Sequence, residues 1–444
     1  MERVAILGSG MAGFGAAYRL HQEGVPSITY DKNTYHGGHT ASFKHETGFI
    51  FDEGPHVSFT KHERLQRLFA ESVDEKYEVI HATPNNYWKG HWIKHPAICN
   101  LYGLPTDLVV SSLRDFIEAQ NKQRESEQSS FDTYADWLIA SYGKTFAETF
   151  PMEYGLKYHT TTADNMSTAW LGPRLYRAKL EEALLGALSP ETPHVHYVEY
   201  VRYPSYNGFV SYLSLLPKQT ELRLGHQLVR INPKTQELHF ADGKVANYDA
   251  VVSSIPLTEL IPMIVGAPPD VVEAAQKLAC SSCVMVNLGI NRTDLSEGQW
   301  TYFYDGDICF TRLSFPHMFS PHTCPPGCGS IQAEVYYSDK YRPLKGSPQD
   351  YVAPVMADLK RVGVLREEDK ILHTSVHVSR FAQVIFDLER ADALAKVHGY
   401  LDDVGIAYCG RYGDWLYIWT DESFISGENA AQKTLDRMGA GKAR

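Results

Sequence analysis

An α/β fold, in which the chain crosses several times between a βαβ unit and a second, sheet-containing region, is predicted by three observations. Residues 4–31 read as an apolar strand, a glycine-rich turn, a helix of small residues and a second strand. Residues 61–200 carry apolar spacings of three and four in "HERLQRLFAESV", "TDLVVSSLRDFIEAQNKQR", "FDTYADWLIASYG" and "KLEEALLGAL", which predict a mainly helical block. Strand patterns then return, and the closing stretch "GRYGDWLYIWTDESFISGENAA" again looks like a piece of the first unit. Discontinuous domains follow from that recurrence.

Taken in order, "RVAILGSG" is the first strand and its turn, and the second strand ends at Asp31. The polar run "NKQRESEQSS" reads as an exposed loop or helix end. In "ELRLGHQLVRINPKTQELHFADGKVANYDAVVSSIP", short strands alternate with turns, "ADG" being a hairpin signal and "YDAVVSSIP" a buried strand. A second sheet is expected from "CVMVNLGI", "QWTYFYDGDICFTRLSF" and "SIQAEVYY". Residues 347–361 are helical in pattern, "ILHTSVHVSRF" is a strand, and "GIAYCGRYG" is a last strand running into glycines. The aromatics after it read either as a core strand capped by a helix or as a ligand-facing turn. There is no internal repeat and no low-complexity tract.

With 444 residues, 43% of them hydrophobic, the chain can bury a large core spanning more than one domain. Its formal charge of -11 argues against a nucleic-acid or anionic-membrane surface. An anionic small substrate stays open, because a few arginines reverse the field inside a cleft. The absence of a charged leader, a cleavage site or a bilayer-length apolar run leads us to expect a soluble, cytoplasmic protein. Seven cysteines, an odd count in a long chain, fit a reduced compartment better than a disulfide framework. Cys280 with Cys283 and Cys324 with Cys328 have spacings that could supply four zinc ligands, although "CSSCVMVNLGI" reads as a strand entering the core.

The sharpest signal is "GSGMAGFG", which places Gly8, Gly10 and Gly13 in GxGxxG spacing between a strand and a helix. The first glycine permits the tight turn, the second lets backbone approach a pyrophosphate, and the third lets helix and strand pack closely. The helix amino terminus then faces the phosphates, and Asp31 stands where an acid accepts ribose hydroxyls. Immediately downstream, "YHGGHTASF" offers Gly37 and Gly38 as more unhindered backbone. That suits a cofactor enclosed by several segments, as FAD is.

With these residues and its closing segment, the chain resembles the flavoprotein family of amine oxidases, protoporphyrinogen oxidases and UDP-galactopyranose mutases. The resemblance is strongest to the mutases and extends over nearly the whole length. "GPHVSFT" is similar to the mutase turn that sets a histidine near flavin N5, here His56. "WIKHPAICNLYGLP" resembles the hairpin that follows, with Pro96, Asn100, Leu104 and Pro105 at its marked positions. "AWLGPRL" resembles the segment whose arginine lies over the substrate, here Arg174. "QWTYFYDGDICFTR" reproduces the spacing of Trp300, Tyr302 and Arg312, and the closing segment aligns Arg411 and Tyr417 with substrate-facing residues.

The resemblance implies a Rossmann-like FAD-binding domain with a discontinuous substrate domain containing an antiparallel sheet and a helical subdomain. Residues 1–65, 201–265 and 401–444 would hold FAD, 66–200 would form a helical cap, and 266–400 a sheet-based substrate domain. It implies cofactor contacts from Gly8, Gly10, Met11, Ala12 and Gly13, from Asp31 and Lys32, and from Gly37, Gly38, His39 and Thr40. Gly54, Pro55 and His56, then Gly410, Arg411, Asp421, Glu422, Ser423 and Phe424, complete that set, with Gly427 allowing close approach. Catalytic roles are implied for His56, Arg174 and Arg312, and substrate binding for Arg174, Trp300, Tyr302, Arg312, Arg411 and Tyr417. The arginines would clamp a diphosphate through forked hydrogen bonds.

Each residue also has a plainer role: Trp300 and Tyr302 can fill a sheet face, Arg174 and Arg312 can form structural ion pairs, and His56 can be a satisfied loop histidine. The implied reaction is redox-neutral ring contraction of a nucleotide-sugar through an adduct at N5 of reduced flavin, in polysaccharide biosynthesis. The resemblance leaves room for NAD(P)H as external reductant and for a homo-oligomer. The alternative is a flavin oxidoreductase of the amine oxidase, protoporphyrinogen oxidase or desaturase type, with hydride transfer to N5; a non-enzymatic FAD-binding role is a third reading. Three departures put the substrate in doubt: Gln383 where the family has a tyrosine, Gly155 and Asp421 where it has asparagines.

Overall fold

The computed structural model describes residues 3–125, 130–172, 175–193, 195 and 198–442. Strand β1 (Val4–Leu7) is buried on both faces, as expected of an all-apolar run inside a parallel sheet. Gly8, at φ +104°, turns the chain into helix α1 (Met11–Gln22), which returns it to strand β2 (Ser27–Tyr30). The strands β1 and β2 run parallel, Val4 beside Ser27 and Leu7 beside Tyr30. Three more parallel strands, Ala250–Ser253, Ile406–Tyr408 and Glu221–Arg223, bring the sheet to five. One sheet thus gathers chain from widely separated stretches. Between them the expected short strands, Leu228–Asn232, Glu237–Phe240 and Val245–Asn247, pair as an antiparallel meander, with Gly243 at φ +83° in the hairpin turn.

The second sheet has seven strands. Helix α2 (Pro151–His159) packs against β3 (Cys280–Ile290) and the later strand Gly329–Tyr337. From β3 the chain passes to β4 (Trp300–Phe303), β5 (Arg312–Ser314), β6 (Gly329–Tyr337) and β7 (Ile371–Val384). In space β3 lies between β7 and β6, with β5 and β4 beyond. Two further strands, Asn85–Trp88 and His91–Lys94, extend the sheet past β4.

Those two strands correct the expectation of a mainly helical region between 61 and 200. The helices Glu63–Ser72, Thr106–Glu125, Tyr134–Tyr142 and Leu180–Leu188 fall on the apolar-periodic stretches. However, Tyr77–His81, Asn85–Trp88 and His91–Lys94 are strands. The local signal of the last two is a two-residue hairpin turn, Lys89 and Gly90 both having positive φ, flanked by aromatic residues, whereas Tyr77–His81 pairs with the distant Tyr200–Pro204.

The closing segment is neither a continuous strand nor a bare cap. After Ile406–Tyr408, residues Arg411–Trp415 make one wide, π-type turn and bury Trp415 completely. Helix α3 (Thr420–Lys442) then lies along α1. The two helices touch at glycine: a Cβ on Gly427 would lie 1.9 Å from the Ala12 carbonyl oxygen.

Candidate active site

A cleft of about 920 Å³ runs from the glycine turn after β1 to the faces of β4, β5 and β6. It stands at the upper end of the ordinary range for small-molecule sites, ~300–1,000 Å³. Gly8, Gly10, Met11 and Ala12 line its first end, with Gly37 and Gly38 opposite. The Gly37 N–H donates to the Ser9 carbonyl at 2.9 Å, and Gly10 bridges Gly37 as a short parallel pair. A Cβ on Gly38 would come within 3.2 Å of Gly10 Cα. Main chain therefore meets main chain with no side chain between. Asp31 braces the turn: its carboxylate accepts the Ser9 N–H at 2.8 Å, the Ser9 hydroxyl at 2.7 Å and the Asn33 N–H at 2.8 Å. Lys32, on the rim, lies 3.7 Å from Glu259.

Further along, Thr40 donates to the Gly37 carbonyl at 2.8 Å. Glu53 lies 4.0 Å from His39 Nε2 and 3.8 Å from His377 Nε2, and all three line the cleft. Burial alone would raise the Glu53 carboxyl, but the nearby imidazoles of His377, His39 and His56 bring it below the usual range. Gly54, at φ +106°, turns the chain into Pro55 and His56. His56 Nδ1 is 2.8 Å from the Gly54 carbonyl, which makes Nδ1 the protonated nitrogen of the neutral ring. Burial pushes His56 down to about 4, so it is neutral at physiological pH.

Side chains dominate the far end. Tyr158 of α2, Trp300 and Tyr302 of β4, Arg312 of β5 and Tyr336 of β6 converge there with Arg411, Tyr417 and Trp419. Alternate residues of a strand share a face, so Trp300 and Tyr302 point the same way, and Trp300 Nε1 donates to the Tyr302 hydroxyl at 2.9 Å. The hydroxyls of Tyr158 and Tyr417 are 3.3 Å apart. Burial raises the phenols of Tyr158, Tyr302 and Tyr336, keeping them protonated.

Both arginines described here are already engaged. Arg312 makes a bidentate pair with buried Glu334, its Nε and Nη2 each 2.8 Å from a carboxylate oxygen. Arg411 donates through Nε and Nη2 to the Ile418 carbonyl at 3.0 and 2.6 Å, and through Nη1 to the Ala382 carbonyl at 3.3 Å and Gln383 Oε1 at 3.1 Å. It staples its own loop to β7. Arg174 lies outside the described residues.

Four residues of the expected cofactor set stand behind the wall instead of on it. Gly13 packs under the turn, where a Cβ would lie 1.9 Å from the Gly8 carbonyl oxygen. Phe424 is fully buried against Tyr18, ring centroids 5.7 Å apart. The Glu422 carboxylate accepts the Trp419 N–H at 2.8 Å, and Asp421 belongs to the first turn of α3 without lining the cleft. Gly410 and Ser423 do line it. Of the departures, Gln383 lines the cleft, whereas a Cβ on Gly155 would face the Tyr134 ring at 3.9 Å.

Sequence reasoning passed over Tyr158, Tyr336, Glu334, Glu53 and His377. The available signals were the i, i+4 pair Tyr154 and Tyr158 and the i, i+2 pair Glu334 and Tyr336. Among the described residues no His, Cys, Asp or Glu cluster is arranged to hold a metal. Cys280 and Cys283 lie in β3, and Cys324 Sγ is 3.0 Å from the Cys328 carbonyl.

The first end fits a dinucleotide. Gly10 precedes α1 without a side-chain cap, no acid occupies the first turn, and the uncapped N–H groups face a floor of bare backbone. In sequence, the chain is 31% identical over 90 residues to the 15-cis-phytoene desaturase of Synechococcus elongatus, covering 20% of this chain and 17% of that one. It is 24% identical over 216 residues to the zeta-carotene desaturase of Arabidopsis thaliana, covering 42% and 38%. The matches thus span well under half of these curated relatives. In structure, it superposes on reduced UDP-galactopyranose mutase with a TM-score of 0.91 at 22% identity, over 98% of this chain and 96% of that one. The cyclohexylamine oxidase of Brevibacterium oxydans gives 0.68 at 13% identity over 99% of each. No helix among the described residues is long and apolar enough to cross a membrane. The family model for flavin-containing amine oxidoreductases matches residues 11–435, and the chain belongs to that family, with a cradle built for its flavin.

Proposed function

We propose that the chain is a flavin-dependent mutase acting on a nucleotide-sugar, of the type that interconverts UDP-galactopyranose and its furanose form. The observation that carries this reading is the hydroxyl-rich far end of the cleft. Tyr158, Tyr302 and Tyr417 line it, two of these phenols being kept protonated by burial. Phenol hydroxyls donate to the oxygens of a diphosphate or a sugar, whereas a polyene offers them no acceptor. The fold likeness to the mutase over nearly the whole chain supports the same choice.

Reduced flavin, when bound, supplies the nucleophile that exchanges with the diphosphate at the sugar's anomeric carbon, with no net redox change. The chain's own residues bind and orient. Trp300 fixes the Tyr302 hydroxyl, and the Tyr158 and Tyr417 hydroxyls sit 3.3 Å apart at the same end. His56 stays uncharged, with Nδ1–H tied to the Gly54 carbonyl, so it offers a fixed acceptor in place of a positive charge. The amino terminus of α1, with no acid in its first turn, would hold the cofactor's phosphates. In this reading residues 1–65, 201–265 and 401–444 hold flavin, 66–200 cap the cleft and 266–400 face the sugar. The protein is cytoplasmic and draws electrons from an NAD(P)H-type donor.

A second reading, hydride transfer from a C–H or C–N substrate to flavin, is favoured by the Arg312–Glu334 pair, which shields the cation a diphosphate would seek. One assay separates them. Dithionite-reduced protein, and not oxidised protein, should isomerise UDP-galactopyranose, scored by chromatography of the nucleotide-sugars. Inactivity of both forms, with hydrogen peroxide released from amines, would establish the oxidoreductase.

A further inference from the structure

The guanidinium of Arg312 reaches the cleft with its fork already filled. Arg312 and Glu334 are register partners across β5 and β6, and both hydrogen bonds of the pair measure 2.8 Å. The Arg312 side chain is 20% exposed and that of Glu334 1%. The carboxylate also accepts the hydroxyl of Tyr336. Tyr154, Tyr302 and Cys283 are the other titratable groups that feel its charge, and all three are pushed upward, chiefly by burial. Arg312 is thus the one cation of this local group, and Glu334 cancels it. Two charges of opposite sign in such contact present a ligand with a dipole, far weaker than an isolated cation in a low-dielectric cleft. With Nε–H and one Nη2–H turned inward, the guanidinium keeps only the edge formed by Nη1 and the second Nη2–H for an oxyanion.

We propose that Glu334 is a positioning residue that holds Arg312 edge-on and limits the cleft's grip on doubly charged anions, so that a diphosphate is bound by phenols and one guanidinium edge and can leave again. A bare buried arginine would hold the anion more strongly before and after reaction alike, which lowers KM without raising kcat. This rests on the nucleotide-sugar reading only for the identity of the anion.

The test compares binding of UDP, inorganic pyrophosphate and uridine to wild type and to Glu334→Gln, by calorimetry on flavin-loaded protein at low and high salt. The amide keeps the shape and removes the charge. UDP and pyrophosphate should bind about tenfold more tightly to the variant, with a steeper salt dependence, while uridine is unchanged. A purely structural carboxylate would shift all three ligands together or none, and either result overturns the proposal. Glu334→Asp, which keeps the charge, should return anion affinity to within about threefold of wild type. Removing one partner of a buried pair can prevent folding, so the pair is also replaced as a unit by Arg312→Met with Glu334→Leu. With the pair neutral in wild type, UDP and pyrophosphate affinity should then fall by less than about tenfold. A larger loss would mean that Arg312 grips the anion unshielded, and would overturn the proposal. Wild type that ignores UDP, beside a variant with tightened pyrophosphate binding, would remove the nucleotide-sugar reading and leave this inference standing. Pyrophosphate binding by neither protein would overturn it.

Discussion

The glycine end of the cleft is walled by main chain from two short stretches, residues 8–12 and 37–40, whereas the arginine end is walled by side chains from α2, β4, β5, β6 and the closing loop. The first end needs only a turn, a helix terminus and the absence of Cβ atoms. The second depends on strand register, which sets Arg312 opposite Glu334 and Tyr302 opposite Arg312. Backbone sites tolerate exchange of almost any neighbour but no added carbon, while side-chain sites tolerate altered volume but not altered charge or lost hydroxyls. The contrast sorts the substitutions below.

Gly13→Val should have the largest effect. Its first added carbon meets the Gly8 carbonyl at 1.9 Å, so helix and turn must separate. We expect loss of about 3 kcal/mol or more in urea unfolding, together with colourless purified protein. Retention of flavin at wild-type stoichiometry would break the comparison at its firmer end.

At the other end, Tyr158→Phe and Tyr417→Phe should each leave the flavin spectrum intact and weaken UDP binding by about 1–2 kcal/mol, read by calorimetry. The double variant should cost less than the sum, because the hydroxyls are mutual partners at 3.3 Å. Additive losses would mean that they act separately.

A pH dependence follows from His159, buried beside Tyr158 and pushed down to about 3 by burial. Between its ordinary value near 6.5 and about 3 the unfolded chain binds a proton that the folded chain refuses, so stability falls as pH drops through that window. Asp52, raised by burial to about 6, acts oppositely between roughly pH 4 and 6. His159→Phe should therefore flatten the acid limb of the stability profile by about 1–3 kcal/mol. An unchanged limb would count against a buried neutral imidazole. The smallest effect belongs to Asp421→Asn, which should alter stability by no more than about 0.5 kcal/mol and UDP affinity by no more than about twofold.

The same contrast explains what could be read from the chain alone. GxGxxG, Asp31 and the paired glycines are contiguous, and their meaning is local, so that end of the cleft was legible. Helices with apolar spacing were legible for the same reason. Strands Asn85–Trp88 and His91–Lys94 were not, because the sheet that stabilises them pairs residue 301 with residue 85. Arg312 was visible as a cation, but its partner is fixed only by pairing across β5 and β6. Arg411 could be identified, yet nothing in "GRYGDWLYI" announces that its donors return to Ile418 and Gln383. Phe424 and Glu422 lie beside cleft residues in sequence but turn inward around the first turn of a helix.

The lock between Gly427 and the Ala12 carbonyl joins the first helix of the chain to the last. Together with the cleft contacts of Gly410 and Ser423, it means that the wall of the cleft is complete only once α3 has docked along α1, so that loosening either helix opens the site from behind.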